Sequence, residues 1–222
     1  TNAVSSLTAT VPITIKVEEG SDHDLYLPLL LATAGDGSSE RWRVRSRPAR
    51  PAQTIIVTST QDSGPGTLRQ ALIDARTGDT ITFSPLIFPP AAPVTITLQE
   101  WLPEITIDNL TIDGSDAGII LDGSNLGRTG LVVRGASGVT IRGLQIIRFI
   151  SGIGLIDGAT NTTIGGDRTI GTGPLGQGNL LSDNEIAGVE IMGNATQNNH
   201  ILGNYVGTDL SLIHISEPTR PY

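Results

Sequence analysis

Two short apolar segments decide the fold, Gly130-Leu-Val-Val-Arg-Gly135 and Val139-Thr-Ile-Arg-Gly143. Similar pairs follow in the same order as Gly154-Leu-Ile-Asp-Gly158 with Thr163-Ile-Gly-Gly166, and as Gly188-Val-Glu-Ile-Met-Gly193 with His200-Ile-Leu-Gly203. The first two copies are offset by about 23 or 24 residues, a period typical of one rung of a solenoid. The third copy comes later because a Gly-rich stretch, residues 167–177, is interpreted as a loop insertion.

Each repeat contains two or three short strands separated by Gly or Asn, the residues that tolerate positive φ at sharp bends. Successive rungs are therefore predicted to pair in parallel, with Ile, Leu and Val stacked inside. Asn179 and Asn204 occur in equivalent Gly-Asn motifs, which predicts that they stack as a ladder whose amides bond the next rung. The preference of parallel crossovers for one hand predicts a right-handed winding.

Short strand segments and turns alternate from Val94 onward, and no helical period intervenes after Ala75, which excludes a βαβ architecture. Strands of three to five residues are also too short for an ordinary sandwich. The predicted strand segments in this region are residues 94–98, 105–107, 110–114, 119–123, 131–135, 139–147, 154–158, 162–166, 179–182, 189–193 and 200–207.

A short helix is predicted ahead of these strands. Residues 55–60 are predicted to form a β-branched strand. Thr67 and Gln70 match a capping box, in which the Thr hydroxyl accepts from the Gln amide and the Gln side chain reaches back. The apolar face of this helix is formed by Leu68, Ala71, Leu72 and Ala75. The pattern predicts a capping helix over residues 67–77, with Gly78 as its left-handed C-terminal cap. This helix is expected to cover the open end of the strand stack, where backbone groups would otherwise be unpaired.

Composition supports a β-fold built on small turn residues. The chain has 27 Gly among 222 residues and only 4% aromatic residues, so its core must be made of Ile, Leu and Val. Residues 54–209 carry seven Arg against fifteen acidic residues, which argues against a nucleic-acid partner. The absence of Cys excludes disulfides and thiolate metal sites. No apolar run approaches the ~20 residues of a membrane span.

The two ends of the chain differ from the repeats in character. Residues 1–53 are interpreted as a linker or the end of a preceding module, with a possible last strand at 11–17. The Arg-rich stretch 41–51 is interpreted as a solvated linker, with an anion-binding patch as the alternative. Residues 210–222 resemble a translated sequencing-library adapter and are interpreted as a non-native tail. The repeat region 54–209 is therefore expected to be truncated at its C-terminal side.

Four motifs carry a resemblance to a known group of proteins. They are Asp62-Ser-Gly-Pro-Gly-Thr-Leu-Arg-Gln-Ala-Leu72, Gly78-Asp-Thr-Ile-Thr-Phe83, Gly178-Asn-Leu-Leu-Ser-Asp-Asn184 and Gly203-Asn-Tyr-Val-Gly-Thr-Asp209. Through them, residues 54–209 resemble bacterial right-handed parallel β-helix repeat proteins found in large secreted and surface-anchored chains. The resemblance implies an all-β, right-handed parallel β-helix with an N-terminal capping helix in an extracellular setting. It implies no single activity, since function does not follow from fold.

A polysaccharide lyase would be expected to use carboxylates that hold Ca²⁺ and an arginine base on an outer face of such a fold. The candidates are Asp113, Asp122 and Asp157, with Arg134, Arg142 and Arg148. Asp113 and Asp122 are each followed by Gly, which is typical of a turn, and we favour that interpretation over a Ca²⁺ cluster. Arg134 and Arg142 alternate with apolar residues and are expected to point outward into solvent.

Other chemistries find less support in the sequence. Glycoside hydrolysis needs two facing carboxylates about 5 to 10 Å apart, and nothing pairs Asp183, Glu185 and Glu190 across a cleft. His200 begins a strand and is interpreted as a surface residue. No nucleophile elbow, phosphate loop or zinc motif is present, so no cofactor is expected.

The sequence favours a non-catalytic extracellular or cell-surface module with a structural, adhesive or glycan-binding role. Its expected partners are extracellular glycans or other surface proteins, and a monomer is expected. The alternative is a carbohydrate-active enzyme, a polysaccharide lyase or a glycoside hydrolase, whose site lies on the outer face or in a missing C-terminal part. A third hypothesis is a passenger of the surface-layer or autotransporter type.

Overall fold

The computed structural model of the chain describes residues 51–124 and 126–207. The elements of this part are, in chain order, β1 (Thr54–Val57), α1 (Leu68–Asp74), β2 (Thr80–Phe83), β3 (Val94–Thr97), β4 (Thr111–Asp113), β5 (Ile119–Asp122), β6 (Leu131–Arg134), β7 (Thr140–Arg142), β8 (Leu144–Ile147), β9 (Ser151–Ile156), β10 (Thr163–Gly165), β11 (Leu180–Ser182), β12 (Ala187–Ile191), β13 (His200–Leu202) and β14 (Tyr205–Val206). The predictions for residues 1–50 and 208–222 concern parts of the chain outside these ranges.

The strands form three parallel sheets. Sheet A has the order β1-β2-β4-β7-β10-β13, sheet B the order β14-β11-β8-β5-β3, and sheet C the order β12-β9-β6. From β4 onward the chain visits sheets A, B and C in turn, and we call one such passage a rung. Neighbouring strands of each sheet therefore come from successive rungs and pair in parallel. The prediction of an all-β fold with stacked parallel strands is confirmed, and the arrangement is consistent with a parallel β-solenoid.

Sheet A carries, with one exception, identical side chains in register on each of its two faces. Its inner file consists of isoleucines, namely Ile55, Ile81, Ile112, Ile141, Ile164 and Ile201. Its outer file has threonine in five of the six strands, namely Thr54, Thr80, Thr111, Thr140 and Thr163, and His200 in the sixth. Ile81, Ile112, Ile141 and Ile164 are fully buried. β-branched side chains suit this pleated stack because they pack against the same side chain one rung away.

Two predicted strand segments each divide into two strands. Residues 139–147 form β7 in sheet A and β8 in sheet B, and residues 200–207 form β13 and β14 in the same two sheets. The divisions fall at Gly143 and Gly203, which have φ values of 75° and 61°. Residues 105–107 form no strand, and only Ile105 makes an isolated bridge, to Val133.

The capping helix is shorter than predicted and spans Leu68–Asp74. The Thr67 hydroxyl accepts from the Gln70 amide at 3.2 Å, as predicted. The reciprocal half of the capping box was wrong, because the Gln70 side chain donates to Asp74 at 3.0 Å instead of reaching back. The predicted apolar face is confirmed, since Leu68, Ala71, Leu72 and Ala75 are all buried and belong to the cluster that contains the interior isoleucines.

Gly78 does not cap the helix, which ends several residues earlier. It has a φ of 83°, and its N–H donates to the Asp108 carbonyl one rung later. Left-handed residues occupy the same corner before later strands of sheet A, at Asn109, Gly138 and Asn161. Gly78 therefore makes the bend that begins a rung. A glycine with positive φ suits this bend and the end of a helix equally well, so the local sequence could not distinguish the two.

An ion pair joins Asp62 and Arg69, two residues of the first resemblance motif. The Arg69 Nη2 atom lies 2.6 Å from Asp62 Oδ1, and Nε donates to the Asp62 carbonyl at 3.1 Å. Arg69 also donates to the carbonyls of Glu100 and Trp101. One guanidinium thus joins the helix to the turn before it and to the segment after β3.

The predicted asparagine ladder is confirmed. Asn179 Nδ2 donates to Asn204 Oδ1 at 2.9 Å and to the Ile141 carbonyl at 3.0 Å, while Asn179 Oδ1 accepts from the Leu144 amide at 3.0 Å. Asn184 and Asn199, which the sequence analysis did not single out, make the same two bonds to the backbone of the preceding rung. Each amide thus clamps a corner of the rung before it.

Asn179→Leu is expected to destabilise the protein by about 3 kcal/mol, because it leaves the Leu144 N–H and the Ile141 carbonyl unpaired in the interior. The free energy of unfolding in urea measures the effect. Asn194→Leu is the control, since Asn194 is exposed. Equal stability of the two variants would contradict the clamp.

Gly143→Ala is expected to destabilise the protein by more than Gly127→Ala. Both glycines have positive φ, but a Cβ at Gly143 would lie 2.3 Å from the backbone of Gly114, whereas one at Gly127 meets nothing within 4 Å. The control variant Gly127→Ala therefore has the cost of a left-handed alanine, about 1 kcal/mol, but no steric clash. The melting temperatures of both variants measure the difference. Similar decreases would show that the close approach of two rungs does not require glycine at position 143.

Candidate functional site

Each candidate aspartate from the sequence lies beside one of the candidate arginines, in a neighbouring rung. The pairs are Asp113 with Arg142, Asp122 with Arg148, and Asp157 with Arg134. The structure thus brings the six residues together as three separate ion pairs at the ends of strands.

Asp122 is the most buried of these carboxylates, with 2% of its side chain exposed. Arg148 Nε donates to Asp122 Oδ1 at 2.8 Å, and Nη2 contacts the other carboxylate oxygen. The Ser124 amide also donates to Oδ1 at 2.8 Å. Arg148 has a φ of 59°, a conformation that bulky residues rarely adopt.

Asp113 and Arg142 are register partners on the outer face of sheet A. Arg142 Nη2 lies 2.6 Å from Asp113 Oδ2, and the Ser115 amide donates to Asp113 Oδ1 at 3.0 Å. This bond from the residue two positions on is the Asx-turn geometry, and Asp122 makes the same bond with Ser124. The turn interpretation of both aspartates is confirmed.

Arg134 stands between carboxylates of the rungs on either side. Its Nε lies 2.7 Å from Glu104 Oε2, and its Nη1 contacts Asp157. Arg134 and Arg142 point outward, as predicted, with 41% and 28% of their side chains exposed, but both also form ion pairs that were not predicted. Parallel stacking places these charges beside the next rung, which the sequence spacing within one rung does not reveal.

The ion pairs hold these groups in their charged forms. The hydrogen bond from Arg148 lowers the pKa of Asp122, and that from Arg134 lowers the pKa of Glu104. Burial pushes the pKa of Asp113 upward, but hydrogen bonds from Arg142 and Ser115 outweigh it and leave that pKa below its usual value.

The arginines shift in the opposite direction. The hydrogen bond to Asp122 raises the pKa of Arg148, and the hydrogen bonds to Glu104 raise the pKa of Arg134. A general acid must hold a proton at the working pH, and a general base must be unprotonated there with enough proton affinity to accept one. Paired in this way, Asp122 and Arg148 are poorly suited to either task.

Asp183 lies beside one of these pairs, because the Arg148 amide donates to its carbonyl at 3.1 Å and its charge helps to raise the pKa of Arg148. Asp183 follows β11 of sheet B, whereas Glu190 lies in β12 of sheet C. His200 is exposed at the start of β13. Within residues 51–124 and 126–207, no group of three or more His, Asp or Glu side chains is placed to hold a metal ion, so the Ca²⁺ alternative has no ligand cluster there.

Trp101 is a surface feature that the sequence analysis did not single out. Its side chain is 54% exposed, and the Arg128 guanidinium lies 3.3 Å from the centre of its ring. A cation over an indole is a favourable contact. The available signal in the sequence was its low aromatic content, only 4%, which makes each aromatic residue distinctive.

No protein-family model matches this chain, and no curated protein matches it. In the part of the chain that the structure describes, the single helix is too short to cross a membrane.

Arg148→Gln is expected to lower the free energy of unfolding at neutral pH by about 2 kcal/mol, because it leaves the buried Asp122 carboxylate without its cation. The pKa of Asp122 is lowered in the folded protein, so this stabilisation is present above the unfolded pKa of about 3.9 and is lost as the pH falls through the folded pKa. Urea titrations at several pH values measure it.

Arg134→Gln is the matched control. Its partners Glu104 and Asp157 have 43% and 61% of their side chains exposed, so the loss of stability is expected to be smaller than that of Arg148→Gln. If the loss in free energy of unfolding caused by Arg148→Gln were as large in acid as at neutral pH, the assignment of this stabilisation to Asp122 would be contradicted.

Proposed function

We propose that residues 54–209 form the capped N-terminal part of a right-handed parallel β-helix of the secreted or surface-anchored bacterial type. In this proposal the module is non-catalytic and has a structural, adhesive or glycan-binding role outside the cell, with glycans or surface proteins as its partners. The parallel rungs and the helix at the first rung support the fold assignment. The resemblance motifs support the extracellular setting.

One observation supports the non-catalytic role: the candidate catalytic carboxylates and arginines form ion pairs with one another. Asp113 and Asp122 each accept bonds from an arginine and from a backbone amide two residues on. Asp113 accepts two such bonds and Asp122 accepts three, and the bonds from the arginines join one rung to the next. A catalytic carboxylate would instead face a cleft and have a pKa near its working pH, whereas the pKa values of Asp113 and Asp122 are lowered.

A carbohydrate-active enzyme is the second candidate, and the backbone of Arg148 is what favours it. Residues held at unusual φ values cluster at functional sites, and Arg148 combines a left-handed conformation with a position at a strand end. In this alternative a lyase or hydrolase site would involve Arg148 and the adjoining outer face.

Incubation with polygalacturonate and with a soluble neutral glucan, each with and without Ca²⁺, separates the two candidates. We expect no unsaturated product in ultraviolet absorbance and no new reducing ends, while isothermal titration calorimetry detects binding to at least one polymer. Turnover that Arg148→Gln abolishes, and that the exposed-site control Arg76→Gln leaves intact, would overturn the non-catalytic proposal. A crystal structure with left-handed winding would overturn the fold proposal.

A further inference from the structure

The insertion at residues 167–177 lengthens the connection between β10 of sheet A and β11 of sheet B. In the preceding rung, Gly143 alone connects β7 of sheet A to β8 of sheet B. The insertion instead folds back over the corner of an earlier rung. The Thr172 amide donates to Asp116 Oδ1 at 2.9 Å, and the Gly173 amide donates to the Ser115 carbonyl at 2.7 Å. Insertions on one face of a repeat protein frequently form its binding face.

Gln145 indicates what lies beneath the insertion. Its neighbours in β8, Leu144 and Ile146, belong to the interior core, so strand alternation directs Gln145 to the outer face of sheet B. Gln145 is nevertheless only 3% exposed. Its register partner Leu180 and the insertion residue Leu175 are also buried, yet both lie outside the main core cluster. A second, smaller buried layer therefore covers this face.

Two hydrogen-bond donors in this region have no acceptor. Gln145 Nε2 and Arg142 Nε are both buried atoms without a partner. They lie on either side of Gly143, at the end of β7 and near the start of β8. Buried donors are normally paired, so an unpaired one calls for a missing acceptor. Two such donors at one corner point to a ligand that supplies oxygen atoms.

We propose that the Gly143 corner and the 167–177 insertion form a binding site for a sugar residue. Hydroxyl or carboxylate oxygens of the sugar accept hydrogen bonds from Gln145 Nε2 and Arg142 Nε. The Arg142 side chain is 28% exposed and marks the side from which the ligand enters. The insertion must shift to admit the sugar, and its bonds to Ser115 and Asp116 are the ones that open. This site rests on the glycan-binding role proposed above and gives that role a location.

Gln145→Leu tests the site with polygalacturonate and with cello-oligosaccharides as acidic and neutral probes. Affinity for the probe that binds is expected to fall about tenfold, as for the loss of one hydrogen bond to a ligand. The melting temperature is expected not to fall, because an unpaired buried amide is replaced by an apolar side chain of similar size. Gln197→Leu, at an exposed position on another corner, is expected to bind like the wild type.

Deletion of residues 167–178 is the second variant. It places Gly166 directly before Asn179, and the strand register aligns that junction with Gly203 and Asn204 in the next rung, where no insertion occurs. The deletion is expected to keep the far-ultraviolet circular dichroism of the wild type and to lose probe binding. In the wild type, added probe is expected to shift the side-chain amide resonance of Gln145.

The results separate the site from the role. Wild-type binding that survives both Gln145→Leu and the deletion overturns the site and leaves the glycan-binding role in place. Failure of the wild type to bind either probe overturns the glycan-binding role and the site together. A lowered melting temperature of Gln145→Leu with unchanged affinity assigns Gln145 to packing and also overturns the site.

Discussion

Every rung of this protein must offer the next one the same row of backbone partners, and the rest of the structure depends on that requirement. Parallel pairing in all three sheets leaves each strand bonded to its counterpart one passage of the chain away. A rung that turned at a different place would shift every apolar side chain relative to its file. The repeated glycines and asparagines at the corners therefore matter as much as the isoleucines inside.

The asparagine amides show how the corners are held. In each case Oδ1 accepts a backbone amide and Nδ2 donates to a backbone carbonyl of the preceding rung. A corner has no strand partners of its own, and buried backbone groups there would otherwise be unpaired. The side chain of one rung thus completes the hydrogen bonding of another. This dependence favours all-or-none formation of neighbouring rungs and explains why polar residues are tolerated in the interior.

The same stacking governs the charged residues on the outside. Glu104, Arg134 and Asp157 lie in three successive rungs and alternate in sign. Opposite charges at neighbouring positions avoid the repulsion that a file of identical charges would produce. Outward-facing charges such as these form ion pairs between neighbouring rungs. The buried donors beside Gly143, Arg142 Nε and Gln145 Nε2, differ from them because they have no partner. The proposed binding site lies where the insertion between β10 and β11 folds back over an earlier rung.

The sequence by itself determined the parallel rungs, the apolar face of the capping helix, the loop insertion and the Asn179–Asn204 contact. These features depend on periodicity and on residues with strong local preferences, such as Gly, Asn and the β-branched side chains. Only the tertiary structure decided that Gly78 begins a rung, that Arg134 and Arg142 form ion pairs, and that Gln145 is buried on an outer face. Each of those outcomes depends on a residue that lies in another rung or in the insertion, and no local pattern specifies which side chain will arrive there.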